Sequence, residues 1–173
     1  QFLPETILSV GLNSLVWWVP PSNQQTFFKC SHDLIKEESA VTPQPALVFG
    51  ICAGEWMVFA VKGNKRPTKD TPLFVCPHFN VWSNGRICQG TVSVPKDYSA
   101  DSTEAWNKAF FGSAYSHPNV HGKGEHVSYE GGSYQLWRDL LDGKFKKFPE
   151  KVLVPKRRTV SDFIKAVNQG EAL

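Results

Sequence analysis

The sequence has no apolar run approaching the roughly 20 residues that a membrane-spanning helix requires. The apolar run Val16–Val19 ends at once at Pro20 and Pro21. Charged residues make up only 20% of the 173 positions and hydrophobic residues 41%. These proportions are those of an ordinary soluble domain, so a disordered tail or a fibrous repeat is excluded.

Cysteine is scarce as well. The four cysteines, at positions 30, 52, 76 and 88, are too few and too irregularly spaced for a disulfide framework. We expect no leading signal peptide, and therefore free thiols in a reducing cytoplasm. The glycines of Gly122-Lys123-Gly124 and Gly131-Gly132 lack the Gly-x-Gly-x-x-Gly spacing of a phosphate-binding loop and are interpreted as flexible loop elements.

Aromatic residues are plentiful, with six Trp and twelve Phe, and they predict a substantial aromatic core. The first half of the chain has short runs rich in Val, Phe and Trp, bounded by turn residues. They predict strands at Ser14–Val19, Thr26–Cys30, Ala46–Cys52, Trp56–Val61 and Leu73–Cys76. Short connections between them favour an antiparallel meander.

The second half predicts helices. Asp101 and Glu104 form a capping-box pattern before a helix at Ala105–Ser113, and apolar spacing predicts a second helix at Ser133–Leu141. Thr159 and Asp162 predict the start of a third helix. Strands followed by helices indicate an α+β fold, and we expect one domain over residues 1–173.

A basic segment lies near the C-terminal end, with seven Lys or Arg between positions 144 and 158. A basic face can bind an acidic partner protein or nucleic acid. Because no nucleic-acid motif accompanies it, we favour a solvated face or a protein-docking surface.

The densest group of chemically active side chains lies between the predicted sheet and helices, at residues 76–90. His78-Phe79-Asn80, followed by Cys88 eight positions after Asn80, resembles the His-Pro-Asn signature of ubiquitin-conjugating enzymes. The sequence Gly85-x-Ile87-Cys88 also matches that family. The chain departs from the pattern at Phe79, where the family has a Pro that stiffens the loop.

From about Ala46 onward the chain is similar to the PRTRC system protein B family, a bacterial branch of the conjugating-enzyme superfamily; residues 1–45, predicted to form N-terminal strands, match only loosely. The matching blocks include Arg66-Pro67, Phe110-Phe111, Trp137-Arg138-Asp139-Leu140 and Phe148-Pro149. This resemblance implies a ubiquitin-conjugating-like fold, a ThiF-like activating enzyme and a ubiquitin-like protein as partners, and a JAB-type peptidase in the same pathway. The final acceptor would be an amine of a target protein, and no metal, nucleotide or organic cofactor is implied.

The resemblance makes Cys88 the nucleophile that accepts an acyl group as a thioester. It gives Asn80 either the role of an oxyanion donor or that of bracing the loop. His78 is expected to be more structural than catalytic. His117, in the sequence His117-Pro118-Asn119, follows the cysteine; it is interpreted as a rim residue that helps deprotonate the amine, or as a turn residue capping a helix.

Three other interpretations compete with this one. The pairs Cys30-x-His32 and Cys76-x-His78 are candidate zinc ligands, although one-residue spacing is unusual for zinc. A catalytically inactive scaffold that binds a ubiquitin-like protein is disfavoured because it would not need both Cys88 and Asn80. A zinc or thiol hydrolase would lack a convincing His-Asp relay.

Overall fold

A six-stranded antiparallel sheet lies at the centre of the computed structural model, which describes residues 2–120 and 126–173. Its strands follow the order β1-β2-β5-β6-β7-β9, and a second sheet has the order β4-β3-β8. The strands are β1 Ile7–Val10, β2 Ser14–Val19, β3 Ser22–Lys29, β4 Glu37–Gln44, β5 Ala46–Cys52, β6 Glu55–Val61, β7 Pro72–Phe74, β8 Ala114–Tyr115 and β9 Pro155–Thr159. The helices are α1 Thr103–Phe111, α2 Gly132–Leu141 and α3 Val160–Gln169. The α+β fold class predicted from the sequence is confirmed.

Successive side chains of the central strands point to opposite faces of the sheet, so the core has two layers, one on each face. One face of the large sheet, with Val16, Val48 and Phe59, packs against Phe163 and Val167 of α3. The opposite face contributes a larger cluster that includes residues of the second sheet, α1 and α2: Trp17, Phe49, Trp56, Phe28, Trp106, Phe110 and Trp137. Both faces of β5 and β6 are buried, which explains their nearly continuous apolar sequences.

The second sheet is formed by the β3–β4 hairpin, which leaves the central sheet between β2 and β5. Short β8 adds to it in parallel, with Phe27 paired to Ala114 and Phe28 to Tyr115. This pairing brings the chain after α1 beside the segment that carries Asn80.

The structure differs from the sequence-based prediction in several elements. Strands β1, β4, β8 and β9 are not among the five strands whose bounds the sequence predicts, and β9 lies between α2 and α3 in the chain. The capping box predicted at Asp101 is wrong: α1 has Ser102 as its N-cap without a side-chain cap bond, and Asp101 lies in a preceding 3₁₀ turn. Just before that turn, Asp97 accepts hydrogen bonds from the main chain and hydroxyl of Ser99.

Three other predictions concern the start of α3, membrane-spanning helices and a glycine-containing loop. The capping box of Thr159 and Asp162 is present at the start of α3. Within the part of the chain that the structure describes, no helix is long and apolar enough to cross a membrane. The predicted flexible element at Gly122-Lys123-Gly124 lies outside the described residues.

Candidate active site around Cys88

Residues 80–88 form a short β-like hairpin, called here the Cys88 hairpin. Its two arms are joined by main-chain hydrogen bonds from Trp82 N to Arg86 O (2.8 Å) and from Cys88 N to Asn80 O (2.7 Å). The second arm also pairs with β6, because Ile87 N donates to Trp56 O at 2.9 Å. The hairpin is therefore an extension of the central sheet, lying beside the half of β6 that β7 does not cover.

The turn of this hairpin requires glycine. Gly85 has φ of +90°, a conformation that residues with a side chain rarely adopt. A Cβ atom at this position would lie 2.5 Å from the ring of Phe59 in β6. The main-chain oxygen of Gly85 accepts a hydrogen bond from Val58 N at 2.8 Å. The close approach fixes the hairpin on the sheet and so fixes the position of Cys88.

Cys88 is the exposed cysteine of the four. Cys52 and Cys76 are buried, and Cys30 is half-buried. Burial raises the pKa of the Cys76 thiol to about 12, and burial together with Glu38 raises the pKa of Cys30 to about 11. Since the thiolate is the nucleophile, these two thiols are poorly suited to attack an acyl group near neutral pH.

The side chain of Asn80 braces the hairpin against β8. Its Nδ2 donates to Ala114 O at 2.9 Å, and its Oδ1 accepts from Ser116 N at 3.2 Å and from Ser116 Oγ at 2.9 Å. Successive main-chain groups at positions 114 and 116 face the same side of a strand, so the amide imitates a neighbouring strand. Asn80 itself has φ of +63°, a left-handed conformation that Asn tolerates better than most residues.

Phe79 occupies the position where the resembling family has Pro. Its ring is buried, lies 4.9 Å from the ring of Tyr134 in α2, and contacts Phe28 in β3. These two ring contacts, one to α2 and one to β3, restrain the loop. Packing of Phe79 provides the rigidity that Pro would otherwise supply through its backbone.

His78 is buried among aromatic rings and has two polar partners. Its Nε2 lies 2.5 Å from Gln44 Oε1, and its Nδ1 lies 3.2 Å from Cys76 Sγ. Because an amide oxygen only accepts, Nε2 carries the proton, and the Cys76 thiol donates to Nδ1. Burial lowers the pKa of His78 to about 3, so the ring is neutral at pH 7.

The same polar chain continues into the second sheet. Gln44 Nε2 donates to Thr42 Oγ1 at 2.8 Å, and Thr42 Oγ1 lies 3.1 Å from Thr26 Oγ1. The Thr26 hydroxyl donates to Ala40 O at 2.9 Å, so the Thr42 hydroxyl donates to Thr26. Each side chain of this hydrogen-bonded series, from Cys76 to Thr26, has a partner, and His78 thereby joins the segment before the hairpin to β3 and β4.

His117 lies directly beside Asn80. Asn80 N donates to His117 O at 3.0 Å, while Asn80 O accepts from Cys88 N. Hydrogen-bonded chains lie about 4.8 Å apart, so the backbones of Cys88 and His117 are separated by no more than roughly 10 Å. The His117 side chain is exposed, and its Nδ1 lies 2.9 Å from Ser116 Oγ. The end of α1 is instead satisfied by Gly112, Ser113 and Tyr115, so His117 does not cap that helix.

The main chain of Asn80 is hydrogen-bonded to both Cys88 and His117, which are exposed, whereas His78 is buried. The zinc candidates do not converge: Cys76 and His78 contact each other, Cys30 Sγ contacts Tyr115 O, and no group of three or more potential ligands occurs in residues 2–120 and 126–173.

Sequence reasoning missed Ser116 and Gln44. Neither lies in a recognisable spacing motif; the only local signal for Ser116 is its place immediately before the His-Pro-Asn sequence.

The basic segment does not form one uniform face. Lys144 pairs with Asp139 at 3.0 Å, and Lys156 donates to Ser83 O at 3.1 Å in the Cys88 hairpin. Lys146, Lys147 and Arg157 are exposed. Part of the positive charge is therefore used within the protein, and one of these lysines holds the hairpin.

A comparison with protein families identifies the chain. The family model described as prokaryotic E2 family D matches residues 1–156, so the chain belongs to this family of ubiquitin-conjugating-like proteins. No curated protein and no solved structure gave a match. The match includes all of the Cys88 hairpin, β8 and α2, and it ends within β9.

Proposed function

We propose, from membership of prokaryotic E2 family D, that this protein carries a ubiquitin-like protein as a thioester on Cys88 and transfers it to an amine. The observation that carries the proposal is the exposure of Cys88 on a hairpin that Gly85 and Asn80 fix in place. A protein C-terminus can reach a thiol only if it is exposed. Catalysis of acyl transfer also requires that the thiol be held in a defined geometry.

The reaction has two acyl transfers. In the first, the Cys88 thiolate attacks the thioester carbonyl on the activating enzyme; a new C–S bond forms, and the enzyme's cysteine leaves as a thiolate. In the second, an amine attacks the Cys88 thioester, the C–N bond forms, the nitrogen loses a proton, and Cys88 leaves as a thiolate. ATP is consumed by the activating partner, so this chain needs no nucleotide site of its own.

The proposed roles of the other residues follow from their contacts. Asn80 braces the hairpin through β8, and the second N–H of its amide, which has no acceptor among the described residues, is available to an oxyanion. His117 is the proposed base for the amine. His78 acts structurally, since it is buried, neutral and bonded at both nitrogens.

The proposed partners are a ThiF-like activating enzyme, a ubiquitin-like protein and a target-protein amine, with a JAB-type peptidase in the same pathway, as in the PRTRC system protein B type. The alternative is an inactive scaffold that binds a ubiquitin-like protein. The two functions predict different behaviour of the thiol, because a scaffold binds without forming a covalent bond.

A charging reaction separates these functions. The protein is mixed with the activating enzyme, ATP and the ubiquitin-like protein, and the products are run on a non-reducing gel. We expect an adduct that disappears on treatment with thiol and that requires ATP. Binding in the absence of any adduct, measured on the same preparation, would instead support the scaffold.

A further inference from the structure

Ser116 contacts two residues of the proposed site at once. Its hydroxyl oxygen lies 2.9 Å from Asn80 Oδ1 and 2.9 Å from His117 Nδ1. A hydroxyl has a single proton and can donate to only one of these atoms. Which atom donates in each contact therefore determines which nitrogen of the His117 imidazole is protonated.

The orientation of the Asn80 amide is fixed by two main-chain groups, one of which can only accept and the other only donate a hydrogen bond. Its Nδ2 faces Ala114 O, which only accepts, and its Oδ1 faces Ser116 N, which only donates. The atom facing the Ser116 hydroxyl is thus an oxygen that cannot donate. The Ser116 hydroxyl must donate to it, because two lone pairs would otherwise face each other at 2.9 Å.

The direction of the hydrogen bond between Ser116 and His117 follows from this. With its proton engaged by Asn80, Ser116 Oγ can only accept from His117, so Nδ1 of the imidazole carries a proton. In a neutral imidazole one nitrogen is a donor and the other an acceptor. The Nε2 atom of His117 consequently has an available lone pair, and it has no partner among the described residues.

We propose that Ser116 is a positioning residue: by accepting the Nδ1 proton of His117, it holds the imidazole in the tautomer whose Nε2 lone pair receives the proton of the incoming amine. The inference rests on the proposed function, and it adds Ser116 to the residues that serve the second acyl transfer. Asn80 orients Ser116, Ser116 orients His117, and the main chain of Asn80 holds Cys88 in the same structure.

A neutral amine attacks the carbonyl carbon of the Cys88 acyl group, and the C–N bond forms. His117 Nε2 takes the extra proton from nitrogen, the C–S bond breaks, and the electron pair leaves on Cys88 as a thiolate. The products are an amide, a thiolate and an imidazolium, so atoms and charge are conserved.

The test uses a small acyl probe so that it does not depend on the protein partners. The whole protein is loaded on Cys88 with the mercaptoethanesulfonate thioester of acetyl-glycyl-glycine, and loading is followed by intact mass. Discharge is then measured with Nα-acetyl-lysine, whose amine must lose a proton, and with hydroxylamine, which is largely unprotonated and attacks without a base. The variants are Ser116→Ala, Ser116→Thr, His117→Gln and, as a matched control, Ser113→Ala.

We expect Ser116→Ala to slow discharge to Nα-acetyl-lysine roughly tenfold, the kinetic equivalent of one hydrogen bond, and His117→Gln to slow it by about 100-fold. Discharge to hydroxylamine should change less than about twofold in both, because the extra proton on the nitrogen of its adduct is acidic enough to pass to water without the imidazole. Ser116→Thr keeps the hydroxyl and should restore the rate, and Ser113→Ala should match wild type. Equal losses with both nucleophiles, or no loss with lysine, would overturn the role of Ser116.

A spectroscopic measurement on the wild type tests the same inference without relying on a variant's folding. Long-range ¹H–¹⁵N spectra report which imidazole nitrogen is protonated, and His117→Gln identifies the signal. At a pH where the ring is neutral, we expect a protonated Nδ1 and an unprotonated Nε2. The opposite tautomer would overturn the proposal. Failure of the proposed function would be distinct: enzymatic charging would be absent, while the tautomer and chemical discharge would be as described.

Discussion

Phe79 lies edge-on against Phe28, with ring centroids 5.5 Å apart and ring planes at 88° to each other. The first residue belongs to the segment that leads into the Cys88 hairpin and the second to β3, so this contact joins the site to the second sheet. Edge-to-face pairs of this kind contribute beyond the area they bury. The hydrophobic core thus extends directly beneath the hairpin.

Phe79→Ala should destabilise the protein by about 3–5 kcal/mol, the usual cost of removing a buried aromatic side chain. Phe79→Leu should cost less because it keeps most of the buried volume. The measurement is urea unfolding at neutral pH. Stability of Phe79→Ala within about 0.5 kcal/mol of wild type, the size of a surface effect, would contradict the anchoring role.

Alkylation should distinguish the four cysteines. Under native conditions iodoacetamide is expected to modify Cys88 alone, because Cys52 and Cys76 are buried and Cys30 combines partial burial with a pKa of about 11. Mass spectrometry should find one modified site in the native protein and four after unfolding in urea. Cys88→Ser should show no rapid native modification; a rapidly labelled second site would mean that another thiol is equally accessible.

His78 should make stability depend on pH. Its pKa is about 3 in the folded protein and 6.5 when solvent-exposed, so the unfolded chain binds the proton more readily. The contribution of His78 to stability should therefore be fully present above about pH 7 and decrease as the pH falls below 6.5, with a loss of about 2 kcal/mol at pH 5.

Burial also lowers the pKa of His126, which adds to the same trend. Urea unfolding at about pH 7.5 and pH 5 measures the dependence, and His78→Gln should reduce it by about 2 kcal/mol. Ser113→Ala, which removes no titratable group, provides the control and should keep the wild-type dependence. An unchanged dependence in His78→Gln would contradict the assigned environment.

Two substitutions at Asn80 separate its side chain from its backbone. Asn80→Gly accepts the left-handed conformation and removes the amide, whereas Asn80→Ala also introduces backbone strain of about 1 kcal/mol. Both should slow discharge of the thioester to amines by about 100-fold, while only Asn80→Ala should show the added loss of stability. Discharge and thermal unfolding are measured on the same samples. Wild-type discharge by Asn80→Gly would rule out both the oxyanion and the bracing roles.

The sequence predicted the parts of this structure that depend on neighbouring residues. The cap of Thr159 on α3 and the spacing from Asn80 to Cys88 are both short-range patterns. They can be recognised because the physical requirement lies within a few positions of the chain. The central strands β5 and β6 could be predicted equally well, because both of their faces are apolar.

The features that the sequence did not predict depend on contacts between residues that are far apart in the chain. Strand β8 has two residues and exists because Ala114 and Tyr115 pair with Phe27 and Phe28. Contacts of this kind leave no period in the sequence, so the neighbour relationship of Ser116 and Asn80 could not be foreseen. The pattern at Asp101 failed for a different reason: the chain already turns at Ala100–Ser102, so α1 begins at Thr103 and Asp101 lies before its N-cap.

The central claim is that Cys88 is the acyl acceptor, and mapping the adduct tests it most directly. With activating enzyme, ATP and the ubiquitin-like protein, the wild type and Cys76→Ser should form a thiol-sensitive adduct whose acyl group mass spectrometry locates on Cys88. Cys88→Ala should form none, and Cys88→Ser should give at most a slowly formed ester that survives thiol treatment. An adduct that persists in Cys88→Ala and disappears in Cys76→Ser would contradict the account, because the acceptor would then be the buried thiol.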